Sequence, residues 1–275
     1  MKYSFISLII LISFININAQ PVKLWEVDSV YKAPESVAYD SVSGFLYVSN
    51  YTSAVKPGEA YGKHFISKSN PEGKIITAEW IGNLTTPTGI CIFKDMLYIV
   101  ERFGVVKYDL KADKVADKFF IPQNGVNDIT VAPDTSIYVS VADKDIIYRI
   151  KNGKAEEWLN SKEISRPNGV LYDEGKLIVG VNGDSKLKSV NIPDKKVTDI
   201  IQLGPGIIDG IQKCGKGWLV SHFEGNLYFI SPTGEIKELL NTRDKKINIA
   251  DFKYIPEKNL IIIPDLWQNK LICYL

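Results

Sequence analysis

A short apolar strand recurs at a nearly constant interval along this chain, and that period constrains the fold more than any other feature. Leu46-Tyr47-Val48, Leu97-Tyr98-Ile99, Ile137-Tyr138-Val139, Leu177-Ile178-Val179, Trp218-Leu219-Val220 and Leu260-Ile261-Ile262 share one phase. Each follows a turn signal, such as Ser43-Gly44, Lys94-Asp95, Glu174-Gly175 or Glu257-Lys258-Asn259. Another strand lies upstream of each turn. Those strands open at Glu35, Thr88, Asn127, Asn168, Asp209 and Ala250, at intervals of 53, 39, 41, 41 and 41 residues. Six all-strand units of about 41 residues predict an all-β, six-bladed β-propeller. Runs such as Leu260 to Ile263 lack polar alternation, as strands sandwiched between neighbouring blades should.

Counting strands predicts how the ring closes. The fifth unit holds Gly210 to Lys213, Trp218 to His222, Leu227 to Ser231 and Glu235 to Leu240. The sixth unit ends after its third strand, Leu271 to Leu275, while a spare strand, Val22 to Asp28, precedes the first unit. The N-terminal strand is therefore expected to pair with the C-terminal blade and seal the ring, leaving no wide exposed edge. The first unit is longer than the rest, and Tyr51 to Lys63 is expected to be a loop, either a lid or plain decoration.

Residues 20–275 read as one propeller domain, and residues 1–19 as a signal peptide. Lys2 is the only charge there, Phe5 to Phe14 is nearly all apolar, and cleavage is expected between Ala19 and Gln20. An uncleaved anchor is the other reading, although the apolar run is short for a bilayer. The expectation is an exported protein, periplasmic or secreted, with no membrane insertion after cleavage. Lys and Arg number 33 against 32 Asp and Glu, so there is no basic excess to drive nucleic-acid binding. Three Cys without a CxxC pair and two His leave no zinc site of the usual kind. The cysteines stand in apolar contexts and are expected to be buried free thiols.

The period also places chemistry. Inner strands of a propeller start near its axis, so Glu35, Thr88, Asn127, Asn168, Asp209 and Ala250 should form one ring. Glu35, Asn127, Asn168 and Asp209 bring carboxylate or amide oxygens to it. Such a set suits a hard divalent cation; Ca²⁺ fits best, since it takes about 6–8 oxygens in irregular geometry, and another divalent cation is possible. Two carboxylates also neutralise a dication. The competing reading is a polar, water-filled channel, because Asn168-Gly169 and Asn127-Asp128 are ordinary turn dipeptides.

Glu35, Asn127-Asp128, Pro167-Asn168-Gly169 and Asp209-Gly210 together resemble the motifs of the senescence-marker-protein/gluconolactonase family, which includes regucalcin. Calcium-dependent propellers such as diisopropylfluorophosphatase and the paraoxonases share the logic more distantly. The resemblance implies that Glu35, Asn168 and Asp209 hold a metal, with Asn127 a ligand or its neighbour. It further implies hydrolysis of a lactone, ester or phosphoester, with Asp209 as catalytic base or nucleophile. The chain departs from the family where Ser36-Val37 replaces Gly-Pro, where Gly125 replaces Arg, and where Ile129 replaces Gly. The metal set is retained while the sugar-lactone contacts are altered.

Loops joining second to third strands should emerge on the same face and bind a small-molecule substrate. Thr88, Glu101, Arg102, Asn182, His222, Phe223, Asp265 and Trp267 are the candidates. His222 is either an acid/base or a hydrogen-bonded wall residue; Glu101-Arg102 is either an ion pair or an anion site; Phe223 and Trp267 either line the funnel or pack between blades. An alternative function stands beside hydrolysis: a non-catalytic exported propeller that binds a ligand or protein partner, with its metal structural or absent.

Overall fold

The computed structural model describes residues 20–28, 30–52 and 62–275. The signal-peptide reading and most of the 51–63 loop lie outside these residues. Six antiparallel four-stranded sheets form the ring of a six-bladed propeller. The inner strands are Pro34–Asp40, Ile90–Phe93, Val126–Val131, Pro167–Asp173, Ile208–Cys214 and Lys253–Ile255. The second strands are Phe45–Asn50, Met96–Glu101, Ile137–Val141, Lys176–Val181, Gly217–His222 and Leu260–Asp265. Among the described residues no helix is long and apolar enough to cross a membrane.

The hairpin turns between these strands are where the turn signals place them. In blade four, Glu174 (φ 47°) and Gly175 (φ 83°) both take left-handed backbone to join Asp173 to its partner Lys176. That is the mirror-image turn that a twisted two-residue hairpin requires.

Blades are held by what lies between them. Each of the six apolar clusters draws its side chains from two adjacent blades. The second strand of blade two shows the rule: Tyr98 and Val100 face blade three, whereas Leu97 and Ile99 face blade one. Alternate side chains thus enter different cores, both dry, which is why the strand reads as a continuous apolar run. Cys214 and Cys273 are buried in these cores, and Cys91 is half-buried; all three are free thiols. Burial pushes the Cys273 thiol up to about 11.

The sixth sheet is built from both chain ends. Lys23–Val27 pairs with Lys270–Tyr274 outside Leu260–Asp265, with Trp25 opposite Cys273 and Val27 opposite Leu271. Val22 and Leu275 exchange backbone hydrogen bonds of 3.1 and 2.9 Å. The Trp25 indole donates to the Pro71 carbonyl at 3.0 Å, and Lys270 reaches Glu26 at 3.1 Å. Closure therefore joins blade six to the N-terminal strand and that strand to blade one. Deleting residues 270–275 strips a partner from two strands and opens apolar edge. The truncated protein is expected to aggregate or to lose its cooperative melting transition, as read by circular dichroism and size-exclusion chromatography. A monomeric product with an unchanged melt would contradict this account.

Candidate metal centre and substrate cavity

The ring residues reach the axis because their strands break register. In blade one, Pro34 pairs with Asn50 but Val37 pairs with Val48, so three steps on one strand match two on the other. The same extra residue occurs between Val126 and Ile129, between Pro167 and Val170, and between Ile208 and Ile211. Each bulge therefore falls on one dipeptide of its blade: Glu35-Ser36, Asn127-Asp128, Asn168-Gly169 or Asp209-Gly210. A bulge re-aims one side chain out of the alternation. Here it turns the first residue of each pair toward the axis.

A bulge also frees backbone donors, and the second strand supplies acceptors. Ser49 Oγ accepts the Ser36 N–H at 2.9 Å, Ser140 Oγ the Asp128 N–H at 3.0 Å, and Ser221 Oγ the Gly210 N–H at 2.7 Å. These serines are fully buried. The inner strands meet closely beyond the bulge. Asp251 N donates to the Glu35 carbonyl at 3.0 Å, and Gly89 N to the Asn127 carbonyl at 2.8 Å. A Cβ at Gly169 would overlap the Asp209 carbonyl oxygen, so no other residue fits there without displacing backbone.

Glu35, Thr88, Asn127, Asn168 and Asp209 line one cavity of about 480 Å³. Glu35, Asn168 and Asp209 are buried. Glu35 Oε2, Asn127 Oδ1 and Asn168 Oδ1 are each buried without a hydrogen-bond donor among the described residues. Leaving such acceptors dry costs about 1–3 kcal/mol apiece, more for a charged one. Thr88 turns its hydroxyl elsewhere, donating to the Asn127 carbonyl at 2.7 Å. Among the described residues no three His, Cys, Asp and Glu side chains cluster as a metal group, so the donor set is a mixture of carboxylates and amides. All-oxygen sets of this kind suit Ca²⁺ or Mg²⁺ more than zinc.

Charge reinforces this. Burial holds the Glu35 carboxyl well above its ordinary range, and the nearby Asp209, Asp251 and Asp128 push it further. Asp209 is raised by burial and then by Asp251 and Glu224. Asp128 and Asp251 line a deeper axial cavity of about 180 Å³ with Lys253 and Cys91. Burial raises Asp251 to about 6 although Ser36 donates to it. Lys253 is half-buried, with its pKa lowered by desolvation, and its Nζ donates to Gln212 at 3.0 Å. Four axial carboxylates against one lysine leave an excess of acid at the axis that a dication would reduce.

The other sequence candidates divide. Arg102, Phe223 and Trp267 line the 480 Å³ cavity. Glu101, Asn182, His222 and Asp265 do not. Glu101 instead accepts the Thr85 N–H at 2.7 Å, and Asn182 accepts the Ile208 N–H at 2.8 Å. Asp265 is fully buried and accepts the Gln268 N–H at 3.3 Å. His222 lies beneath Gly206, 1% exposed, with Nδ1 2.7 Å from Glu224 and Nε2 unpartnered. Sequence reading passed over Thr86, Val126, Ile207 and Leu266 in the lining, and Asp128 and Asp251 below it. Asp128 and Asp251 follow ring positions by one residue, so the same period read one step later finds them. The three serines could be found as Val48-Ser49, Val139-Ser140 and Val220-Ser221 in a shared phase.

No protein-family model matches the chain, and no curated protein matches it. Solved structures share its fold. A gluconolactonase from Xanthomonas campestris has a TM-score of 0.72 at 13% identity, over 93% of this chain and 94% of that one. A streptogramin B lyase has a TM-score of 0.63 at 12% identity, over 92% of this chain and 98% of that one. A catalytically inactive virginiamycin B lyase from Staphylococcus aureus, solved with quinupristin, has a TM-score of 0.63 at 13% identity, over 91% and 98%. A gluconolactonase thus stands among the fold neighbours, beside lyases on the same scaffold. At such identities the likeness is one of fold, and chemistry must be read from side chains.

Ser140→Ala and Ser221→Ala each leave a buried bulge N–H unpaired and are expected to lower stability by about 1–3 kcal/mol. Gly169→Ala should cost more. Urea unfolding measures the losses. Serine variants as stable as the parent would show that the bulges hold without them.

Proposed function

We propose that this chain is an exported, metal-dependent hydrolase of the gluconolactonase-like type, acting on a lactone, ester or phosphoester. Ca²⁺, or another divalent cation, would be held by Glu35, Asn127, Asn168 and Asp209. The observation that carries this reading is the trio of buried, donorless oxygens, Glu35 Oε2, Asn127 Oδ1 and Asn168 Oδ1, around one cavity with Asp209. A cation would satisfy all three acceptors at once, and among the described residues no side-chain or backbone donor does so.

When bound, the cation would polarise a carbonyl or phosphoryl oxygen, an effect worth several kcal/mol in the transition state. The chain supplies the rest. Asp209 presents the carboxylate that takes a proton from the attacking water, or attacks the acyl or phosphoryl centre itself. Single-turnover hydrolysis in heavy-oxygen water separates these roles: a nucleophilic Asp209 acquires the label, whereas a basic one leaves it in the product. Asn127 and Asn168 orient oxygens without adding charge, so the two carboxylates balance the dication. The bulges hold these groups on rigid strands, and preorganisation of that kind is what electrostatic catalysis requires. The N-terminal segment, read as a signal peptide, supports an exported location for that reaction.

Elemental analysis of the purified protein should find about one divalent cation per chain. Asp209→Asn and Glu35→Gln should lower kcat/KM on a panel of lactones, aryl esters and phosphoesters by about a hundredfold or more and weaken metal uptake. Full turnover after chelation would overturn the metal role. Metal retained with no turnover on any member would instead favour a binding propeller whose cation is structural.

A further inference from the structure

The cavity above the metal centre is two-sided, and its two sides lie across the axis. Phe223 belongs to blade five and Trp267 to blade six, while Arg102 belongs to blade two, three blades from Phe223 in a ring of six. Phe223 and Trp267 meet edge to face, with ring centroids 6.1 Å apart at 84°. Leu266 and Ile207 extend that wall. Their backbones are tied down: Phe223 N donates to the Ile207 carbonyl at 2.8 Å, and Trp267 N to Asn248 at 3.2 Å. Yet Trp267 keeps 64% of its surface exposed. A fixed aromatic wall at the mouth of a cavity is surface for a ligand to cover.

The opposite side carries Arg102, the one basic side chain among the described lining residues. Its sequence neighbour Glu101 is committed to the Thr85 N–H at 2.7 Å, and Arg102 forms no ion pair with a described residue. The guanidinium lies 5.3 Å over the Phe103 ring, which holds it without neutralising it. Asp143 also lines this side, packed against Gly125, and is the charge that an anion would have to avoid. The Thr88 hydroxyl, also in the lining, is engaged with the Asn127 carbonyl at 2.7 Å.

We infer that the substrate is an amphiphile: a flat apolar group lies on Phe223 and Trp267, an anionic group reaches Arg102, and the hydrolysable linkage sits between them at Glu35 and Asp209. This inference rests on the hydrolase reading above. Its test reads binding, so that the two can fail separately. The probes are 2-phenylethanesulfonate, 2-phenylethanol and sorbitol, titrated calorimetrically into the full-length protein in excess calcium. A sulfonate is a weak ligand for calcium, so its charge reports on Arg102.

The sulfonate should bind about tenfold more tightly than the alcohol, as a charge-assisted contact implies, and sorbitol should bind more weakly than either. Arg102→Gln should erase the preference for the sulfonate while leaving the alcohol unchanged; Arg102 is exposed, so the fold has no stake in it. Trp267→Ala should weaken both aryl probes. Asp143→Asn should tighten the sulfonate alone. The inference is overturned if Arg102→Gln retains the anion preference, if Asp143→Asn loosens the sulfonate, or if sorbitol matches the alcohol. Ester and lactone turnover is followed in parallel. The expected binding pattern without turnover would remove the hydrolase reading and keep the site. Turnover of sugar lactones without aryl binding would do the reverse.

Discussion

The extra residue inserted into the inner strands is the constraint on which the rest of this molecule depends. A regular strand alternates its side chains between two interblade cores and has none to spare for the axis. Four inner strands escape that alternation at the same place, where three steps are matched by two. The escape is costly, because it releases buried backbone donors. Buried serine hydroxyls accept them in blades one, three and five. Glycine at 169 then lets one inner strand approach the next without a side chain between them. Bulge, serine and glycine form one device, and its product is a set of oxygens held at the axis on rigid backbone.

That device concentrates like charge. Glu35 and Asp209 lie in the upper cavity, and Asp128 and Asp251 line the lower one. Glu35, Asp128 and Asp209 are held above their ordinary range by burial first and by neighbouring acids second, whereas burial alone raises Asp251, against the Ser36 hydrogen bond and Lys253. The two levels solve the problem differently. Below, Lys253, the Ser36 hydroxyl and the backbone N–H groups of Ile129 and Val170 engage the acids. Above, no donor among the described residues reaches Glu35 Oε2, Asn127 Oδ1 or Asn168 Oδ1. The lower acids are thus met by donors from the chain itself, while the upper oxygens are left open to the cavity.

Much of this was legible in the chain, and the reasons are specific. The closing strand was visible because a four-strand repeat that ends on its third strand needs a fourth, and Val22 to Asp28 was the spare. Glu35, Asn127, Asn168 and Asp209 were visible because a repeat carries phase, and equal phase means equal distance from the axis. Arg102, Phe223 and Trp267 follow from the same logic, since the second-to-third loops open on that face. Glu101, Asn182, His222 and Asp265 share this phase yet stand outside the cavity. Loop phase fixes the face on which a residue emerges but not its rotamer, and backbone donors such as the Thr85 and Ile208 N–H groups took the side chains instead.

The sequence alone therefore determined the number of blades, the order of their strands, the joining of the two ends and the residues that surround the axis. All of these are consequences of periodicity, which survives in one dimension. Tertiary structure decided which oxygens lack a donor, which backbone and side-chain groups meet Asp128 and Asp251, and that the aromatic wall and Arg102 line one cavity. Those depend on contacts between blades whose residues lie from 42 to 215 positions apart along the chain. No local pattern encodes a partner at that distance; it exists only once the ring has closed.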